Sequence, residues 1–349
     1  MKSTHNKQSA FVTSQGSFTE ILISLNEKKY RSQQIYEGLY QNFYSSWEEF
    51  SSLPKPLRQS LENLLIIHSL IPDQVLKSED QTTQKTLYIL DDGFPIESVL
   101  MRNRKRNTLC VSTQSGCAMK CVFCATGTLG LNRSLESWEI VEQVIYAQRY
   151  LHNQGTLLTN IVLMGMGEPF QNYENVMEAI RIINNPKGLN FGARRITIST
   201  IGLINALQRF IREDIQVNLA VSLHAPDDLL RSTLVPTNSA NPISALMPLL
   251  NDYISSSHRR VSIEYVLIRD INDSPLCAQK LVSLLRNNLF HVNLIPLNPT
   301  SGYDHLPPEK PTLLRFANIL RNGNIQVSIR RSQGAEILAG CGQLAAQPS

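Results

Sequence analysis

The stretch Thr108-Leu-Cys110-Val-Ser-Thr-Gln-Ser-Gly-Cys117-Ala-Met-Lys-Cys121-Val-Phe-Cys124 runs a strand pattern into a cluster of cysteines. Leu109 and Val111 alternate with Thr108, Cys110 and Ser112, the period of a strand with two different faces. The three cysteines that follow have a C-x3-C-x2-C spacing, which suits metal ligands on a loop leaving that strand. Three thiolates can hold a 4Fe–4S cluster while leaving one iron without a protein ligand, free to chelate a small molecule. The competing assignment is a zinc ion with histidine as fourth ligand. No histidine lies near the motif in sequence.

Beyond the motif the chain alternates. Strands are expected at 108–113, 160–164, 195–199, 217–223, 260–267, 291–297 and 325–329. Helical patterns fill the gaps at 137–150, 173–183, 203–210, 243–253, 276–285 and 312–320. Such βα repetition defines an α/β protein with a parallel sheet curled into a partial (β/α) barrel. Unusual clusters follow successive strand ends: 117–124, 165–169, 199–202, 222–226 and 298–299. In a β/α barrel that rim builds the active site, so the clusters are expected to converge on one mouth.

Before the motif, residues up to about 90 read as helical. Tyr30 to Tyr40 carries apolar groups at helical spacing, and Leu57, Leu61, Leu64 and Leu65 form a stripe after Leu53-Pro54-Lys55-Pro56. Segments 87–90 and 96–101 flank an Asp91-Asp92-Gly93 turn and suggest a hairpin. The expected organisation is a helical accessory domain over 1–85, a hairpin linker over 86–106, a core over 107–330 and a tail over 331–349.

Of the 349 residues, 33 are basic and 29 acidic, giving a net charge of +4 that does not by itself argue for nucleic acid. Arg102, Arg104, Lys105 and Arg106 are clustered, either as a solvated loop or as an RNA-backbone contact. No apolar run approaches the roughly 18 residues of a membrane span, and residues 1–18 lack the apolar stretch of a secretory signal. A cytoplasmic location is expected, with no membrane partner. Six cysteines without an export signal favour metal or thiol chemistry over a disulfide scaffold. Cys277 reads as structural. A buried Cys110 would be a routine core residue, whereas Cys341, between Gly340 and Gly342, has no evident packing role and sits where the backbone permits close approach and motion.

The cysteine motif resembles that of radical S-adenosylmethionine (SAM) enzymes, and the whole chain resembles the RlmN–Cfr family of radical SAM RNA adenine methyltransferases. The matching stretches are Thr108 through Cys124, Gly165-Met-Gly167-Glu168-Pro169, Ser222-Leu223-His224-Ala-Pro226, Asn293-Leu-Ile-Pro-Leu-Asn298-Pro299 and Cys341-Gly-Gln-Leu344. Tyr30 to Tyr40 and Leu53 to Leu57 are similar to the family's accessory domain. The resemblance implies a radical SAM barrel with a catalytic C-terminal tail and a 4Fe–4S cluster on Cys117, Cys121 and Cys124. SAM would be held by Gly167, Glu168, Ser199, Ser222, Leu223, His224 and Asn298.

The resemblance further implies two SAM molecules per turnover. One methylates Cys341; the other is cleaved to a radical that activates this methyl group for addition to carbon 2 of adenine. Cys110 then forms a transient disulfide with Cys341 and releases the product, with ring-proton removal assigned to Cys110 or Glu97. The implied targets are an adenosine in 23S rRNA and the adenosine 3′ of the anticodon in tRNA, each unstacked to enter the site. An electron donor such as flavodoxin and a monomeric state are also implied. Relatives carry an acidic stretch before the tail cysteine, whereas only Glu336 is acidic in 334–340 here. Pro169 is similar to the carbon-2 enzymes; a carbon-8 methyltransferase and a noncatalytic RNA-binding relative with a structural metal are the alternatives.

Overall fold

The computed structural model describes residues 7–67, 70–104, 106–286, 288–300, 302–330 and 333–345. Lys105 of the basic cluster, residues 1–6 of the accessory segment and 331–332 and 346–349 of the tail lie outside the described residues.

Among the described residues ten strands form one sheet. In chain order they are β1 (Ile71–Lys77), β2 (Thr83–Ile89), β3 (Pro95–Asn103), β4 (Arg106–Cys110), β5 (Asn160–Leu163), β6 (Ile196–Thr200), β7 (Asn218–Ser222), β8 (Val261–Leu267), β9 (Phe290–Pro296) and β10 (Gln326–Ile329). Each strand lies beside its neighbour in sequence. The pairs from β1 to β4 are antiparallel, and every pair from β4 to β10 is parallel. The helical reading of residues up to about 90 therefore holds only through Leu64. The segment at 71–77 alternates exposed and half-buried positions as an edge strand does.

Parallel strands need crossovers, and helices supply them. These are α4 (Ser137–His152), α5 (Tyr173–Asn184), α6 (Ile204–Phe210), α7 (Asp228–Leu234), α8 (Ile243–Ser257), α9 (Pro275–Leu285) and α10 (Lys310–Asn322), after α1 (Gln15–Ser24), α2 (Arg31–Tyr40) and α3 (Lys55–Leu64) of the N-terminal segment. Local chemistry sets their limits. The Ser274 side chain accepts the Cys277 N–H to open α9, with Pro275 at its first position. His258, at φ +53°, closes α8 and turns the chain into β8.

The alternation read at 108–113 holds. Leu109 and Val111 are buried in the main hydrophobic core, which also contains α4 and the N-terminal aromatics Phe11, Phe18 and Tyr40. Thr108 and Cys110 face the sheet's other side, where they line internal cavities. Strands β4 and β10, at opposite ends of the parallel run, wall the same interior cavity, so the sheet curls into a partial barrel. The N-terminal helices dock on the outside of α4, where Arg149 Nε donates to the Phe43 carbonyl at 2.7 Å and Glu142 accepts the Leu70 N–H at 2.8 Å.

Candidate active site

The cysteine loop leaves β4 through a short antiparallel pair, Gln114–Gly116 with Leu131–Ser134, which neither periodicity nor composition announced. The Cys117 N–H donates to the Gly130 carbonyl at 2.7 Å and the Val122 N–H to the Leu234 carbonyl at 3.1 Å. Cys117, Cys121 and Cys124 thereby line one cavity of about 160 Å³ at the C-terminal ends of the parallel strands. Gly167, Glu168, Ser199, Ser222, His224, Asn298 and Cys341 line it too. The expected convergence of strand-end clusters is what the structure shows.

Leu223 does not reach this cavity. Its side chain is fully buried in the main core, and its carbonyl accepts Arg231 Nε at 3.1 Å. Gly167 has φ +100°, and a Cβ there would lie 2.5 Å from the Gln114 Cβ, so a side chain would push the loop off the motif strand. Glu168 is buried, and burial raises its pKa; its carboxylate accepts the Phe170 N–H at 3.0 Å and the Ile201 N–H at 2.8 Å. His224 Nδ1 accepts the Val266 N–H at 3.1 Å, and burial, then Arg231, pushes its pKa down to about 3. It is a neutral ring packed edge-on against Phe123. Tertiary structure thus brings beside the cysteines a histidine that the sequence left distant.

Arg231 on α7 was not singled out from the sequence. It is fully buried and donates to the carbonyls of Ile201, Ser222 and Leu223 at 2.6, 3.2 and 3.1 Å. One guanidinium therefore ties together two strand ends that face the cavity. Helix α7 itself is short and was absent from the expected elements.

A second cavity, of about 290 Å³, contains Cys110 and Cys341 in its wall. It shares Cys124, Met164, Asn298, Arg330 and Cys341 with the first. The tail reaches this position through its backbone. Asn298 Nδ2 donates to the Cys341 carbonyl at 2.9 Å, and Gln343 Nε2 to the Pro299 carbonyl at 2.8 Å. The Ala125 N–H donates to the Gly342 carbonyl at 2.8 Å, and Thr126 Oγ1 to the Leu344 carbonyl at 2.6 Å. A Cβ on Gly340 would sit 2.7 Å from Gln343 Oε1 and 2.8 Å from Asn298 Nδ2, so this close docking requires glycine. Cys341 is exposed, but into the cavities rather than outward, which is how it meets both space and enclosing protein. Burial raises its thiol pKa and Arg330 opposes that rise. Burial, then the neighbouring Cys341, pushes Cys110 up to about 12.

Glu97 lies apart from both cavity linings. Its carboxylate pairs with Lys85 Nζ at 2.9 Å and accepts the Ala345 N–H at 3.1 Å, fastening the tail beyond Cys341. Cys277 packs against the main core from α9. Glu264 on β8 was missed, although a carboxylate in the apolar run Val261-Ser-Ile-Glu264-Tyr-Val-Leu267 was the available signal. It is buried, accepts Asn293 Nδ2 at 2.7 Å and Arg330 Nη2 at 3.5 Å, and burial raises its pKa.

The residues present fit an iron–sulfur cluster by their donor chemistry: three thiols from one loop line one cavity. Among the described residues no three His, Cys, Asp or Glu side chains are gathered into a ready-made metal site. Burial holds Cys117 up at about 12 and raises Cys121, with the neighbouring cysteines opposing ionisation further. A bound cation reverses that balance and stabilises the thiolates.

A cysteine loop at the C-terminal rim of a partial parallel barrel is the architecture of a radical SAM enzyme, and residues 111–278 match the Radical SAM superfamily. Residues 13–67 match the ribosomal RNA large subunit methyltransferase N-terminal domain. The chain is 44% identical over 342 residues to a protein of Chloroflexus aurantiacus described as "Probable dual-specificity RNA methyltransferase RlmN", covering 95% of this chain and 91% of that one. It is 41% identical to the "Ribosomal RNA large subunit methyltransferase N" of Nitrosopumilus maritimus, covering 93% and 95%. A crystal structure of a radical SAM methyltransferase from Sphaerobacter thermophilus matches with a TM-score of 0.95 and 46% identity, over 97% of this chain and 100% of that one. The chain belongs to the RlmN family of radical SAM RNA methyltransferases. No helix among the described residues is long and apolar enough to cross a membrane.

Proposed function

We propose that this enzyme methylates carbon 2 of an adenosine in 23S rRNA and of the adenosine 3′ of the anticodon in tRNA, with Cys341 as the methyl carrier. The supporting observation is that Cys110 and Cys341 line one cavity continuous with the cavity of the three motif cysteines. When bound, a 4Fe–4S cluster and SAM, two molecules of it per turnover, supply the methyl groups and the radical chemistry that no side chain offers.

Cys117, Cys121 and Cys124 would hold the cluster. Gly167, Glu168, Ser199, Ser222, His224 and Asn298 would position SAM, and Leu223 would act through its backbone. Arg330 favours the Cys341 thiolate against the effect of burial, which suits a sulfur that must accept a methyl group. Cys110 stays protonated in the resting site, where burial raises its pKa. Its thiolate would then attack the Cys341 sulfur, breaking the bond from that sulfur to the methylene on adenine, whose electron pair leaves with the product carbon and takes up a proton. Glu97 is bonded to Lys85 and Ala345, so proton acceptance by its carboxylate requires the tail beyond Cys341 to open. A flavodoxin-like donor would reduce a monomeric, cytoplasmic enzyme. The N-terminal helices and Arg102, Arg104 and Arg106 would contact RNA.

The test is incubation of anaerobically reconstituted enzyme with deuterated-methyl SAM and 23S rRNA or tRNA, followed by nucleoside mass spectrometry. Labelled 2-methyladenosine is expected. Labelled 8-methyladenosine would move the site to carbon 8, and unmodified RNA from a brown, iron-loaded enzyme would overturn the reading.

A further inference from the structure

The two cavities described above adjoin a third, of about 1,070 Å³. Met101, Val162, Met164, Arg330 and Gln333 line both the second and the third, and Met164 and Arg330 line all three. The third lies at the other end of the barrel. Asn160, Asn218 and Gln326 in its wall are the first residues of β5, β7 and β10, and Arg260 immediately precedes β8.

Its chemistry differs from that of an ordinary barrel interior, which is filled by layers of branched apolar side chains. Here much of the wall is polar, with Met101, Val162, Met164, Leu289 and Phe290 as its apolar part. Arg259 Nη1, His291 Nδ1 and Glu264 Oε2 are buried there without a hydrogen-bond partner among the described residues. Each such atom costs roughly 1–3 kcal/mol if nothing polar meets it. They mark how polar the wall is, although each of these atoms is itself shut off from the open space. Arg106, Arg259 and Arg260 stand toward the opening and Arg330 deeper, and Glu264 is the one acid among the described lining residues. The opening is therefore cationic. Asn103 ends β3 and Arg106 begins β4, which places Arg104 and Arg106 of the basic cluster at this end.

The opposite end is roofed. The tail is bonded across it to Ala125, Thr126, Asn298 and Pro299, and Glu97 holds Ala345. A nucleobase arriving at that end would compete for space with the tail and with the cluster and SAM that the lining residues would hold. A nucleobase arriving through the third cavity would pass polar groups at its mouth and then Met101, Val162 and Met164 before reaching Cys110 and Cys341.

We propose that RNA docks on the N-terminal end of the barrel, its flanking phosphates on Arg106 and Arg260, and its unstacked adenosine threads the polar cavity to the two cysteines. The proposal rests on the RNA-methyltransferase reading above and adds the face and route of entry. Phosphate contacts fix position and make affinity salt-dependent, while the extruded base enters alone. Reaction chemistry and substrate entry thus occupy opposite ends of one barrel.

The experiment uses reconstituted full-length enzyme and the same RNA. Arg106→Glu and Arg260→Glu, both exposed at the opening, are compared with Arg269→Glu, which follows β8 at the roofed end. The first two should raise KM for RNA by roughly tenfold each, with kcat nearly unchanged, and each should make the salt dependence of RNA binding shallower by about one phosphate contact. Methylation of Cys341 in the absence of RNA, read by peptide mass spectrometry, should stay at the wild-type level and certify the fold. Arg269→Glu should leave KM unchanged. A photoreactive 4-thiouridine beside the target adenosine should crosslink to peptides containing Arg260 or Gln326. If wild type methylates RNA but the Arg106 and Arg260 variants match it, or crosslinks fall on 120–126, this route is wrong and the methyltransferase reading stands. If wild type neither binds nor methylates RNA, the reading itself fails and the route with it.

Discussion

Asn298, just beyond β9, donates through Nδ2 to the backbone carbonyl of Cys341 at 2.9 Å, so a residue of the barrel rim holds the tail cysteine in place. The contact is to the main chain, and the Cys341 side chain lines both cavities beside Arg330. Through that bond Asn298 acts on where the sulfur sits.

That contact makes Gly340→Ala informative. The added methyl would meet Gln343 Oε1 and Asn298 Nδ2 well inside van der Waals distance, so the tail must shift. A displacement of about 1 Å should lower methyl transfer by roughly a hundredfold. Thermal unfolding should barely change, since the barrel core is untouched. Single-turnover kinetics beside a melting curve would check both.

Removing the sulfurs should separate their roles. Cys341→Ala is expected to abolish methyl transfer while leaving the iron content of the reconstituted protein intact. Cys110→Ala should instead trap RNA covalently joined to the protein through Cys341, visible as a shifted band on a denaturing gel. Residual turnover in the Cys341 variant would refute the covalent route.

Arg231→Met should destabilise the protein by roughly 3–5 kcal/mol, because the carbonyls of Ile201, Ser222 and Leu223 would be left buried without their donor. Urea unfolding is the measurement. A change below about 1 kcal/mol would mean that water replaces the guanidinium.

Glu264 gives a pH dependence of definite sign. Its folded pKa is raised, chiefly by burial, so its contribution to stability is fully present below the unfolded value of about 4.3 and is lost as pH rises through the folded value. Glu264→Gln, which cannot ionise, should therefore be more stable than wild type at neutral pH, with the advantage vanishing below about pH 4. Parallel melting temperatures from pH 4 to 8 would show the two curves converging on the acid side.

Much of this was legible without coordinates. Period-two alternation at 108–113 put Leu109 and Val111 in the core and turned Cys110 inward, because a strand's geometry fixes which residues share a face. Strands β5 to β10 announced themselves through apolar runs separated by helical spacing. What escaped was short or polar. The pair framing the cysteine loop has strands of three and four residues, too brief to establish a period, and the seven residues of α7 follow directly on the strand-end cluster at 222–226. Residues 71–77 carry the weak alternation of an edge strand next to a helical segment, and were read with their neighbours.

The sequence by itself determined the C-x3-C-x2-C spacing of Cys117, Cys121 and Cys124, most of the order of strands and helices, and the family, since spacing and pattern are properties of the linear chain. Only the tertiary structure decided that Cys110 and Cys341, 231 positions apart in sequence, share a cavity. It also decided that Glu97 holds the tail, that Arg231 ties the rim, and that a large cavity with arginines in its wall lies at the barrel's far end. Those relationships depend on how the sheet curls and where the tail crosses it. Curvature and long-range docking come from the sum of many weak packing contacts, and no local stretch of residues encodes such a sum.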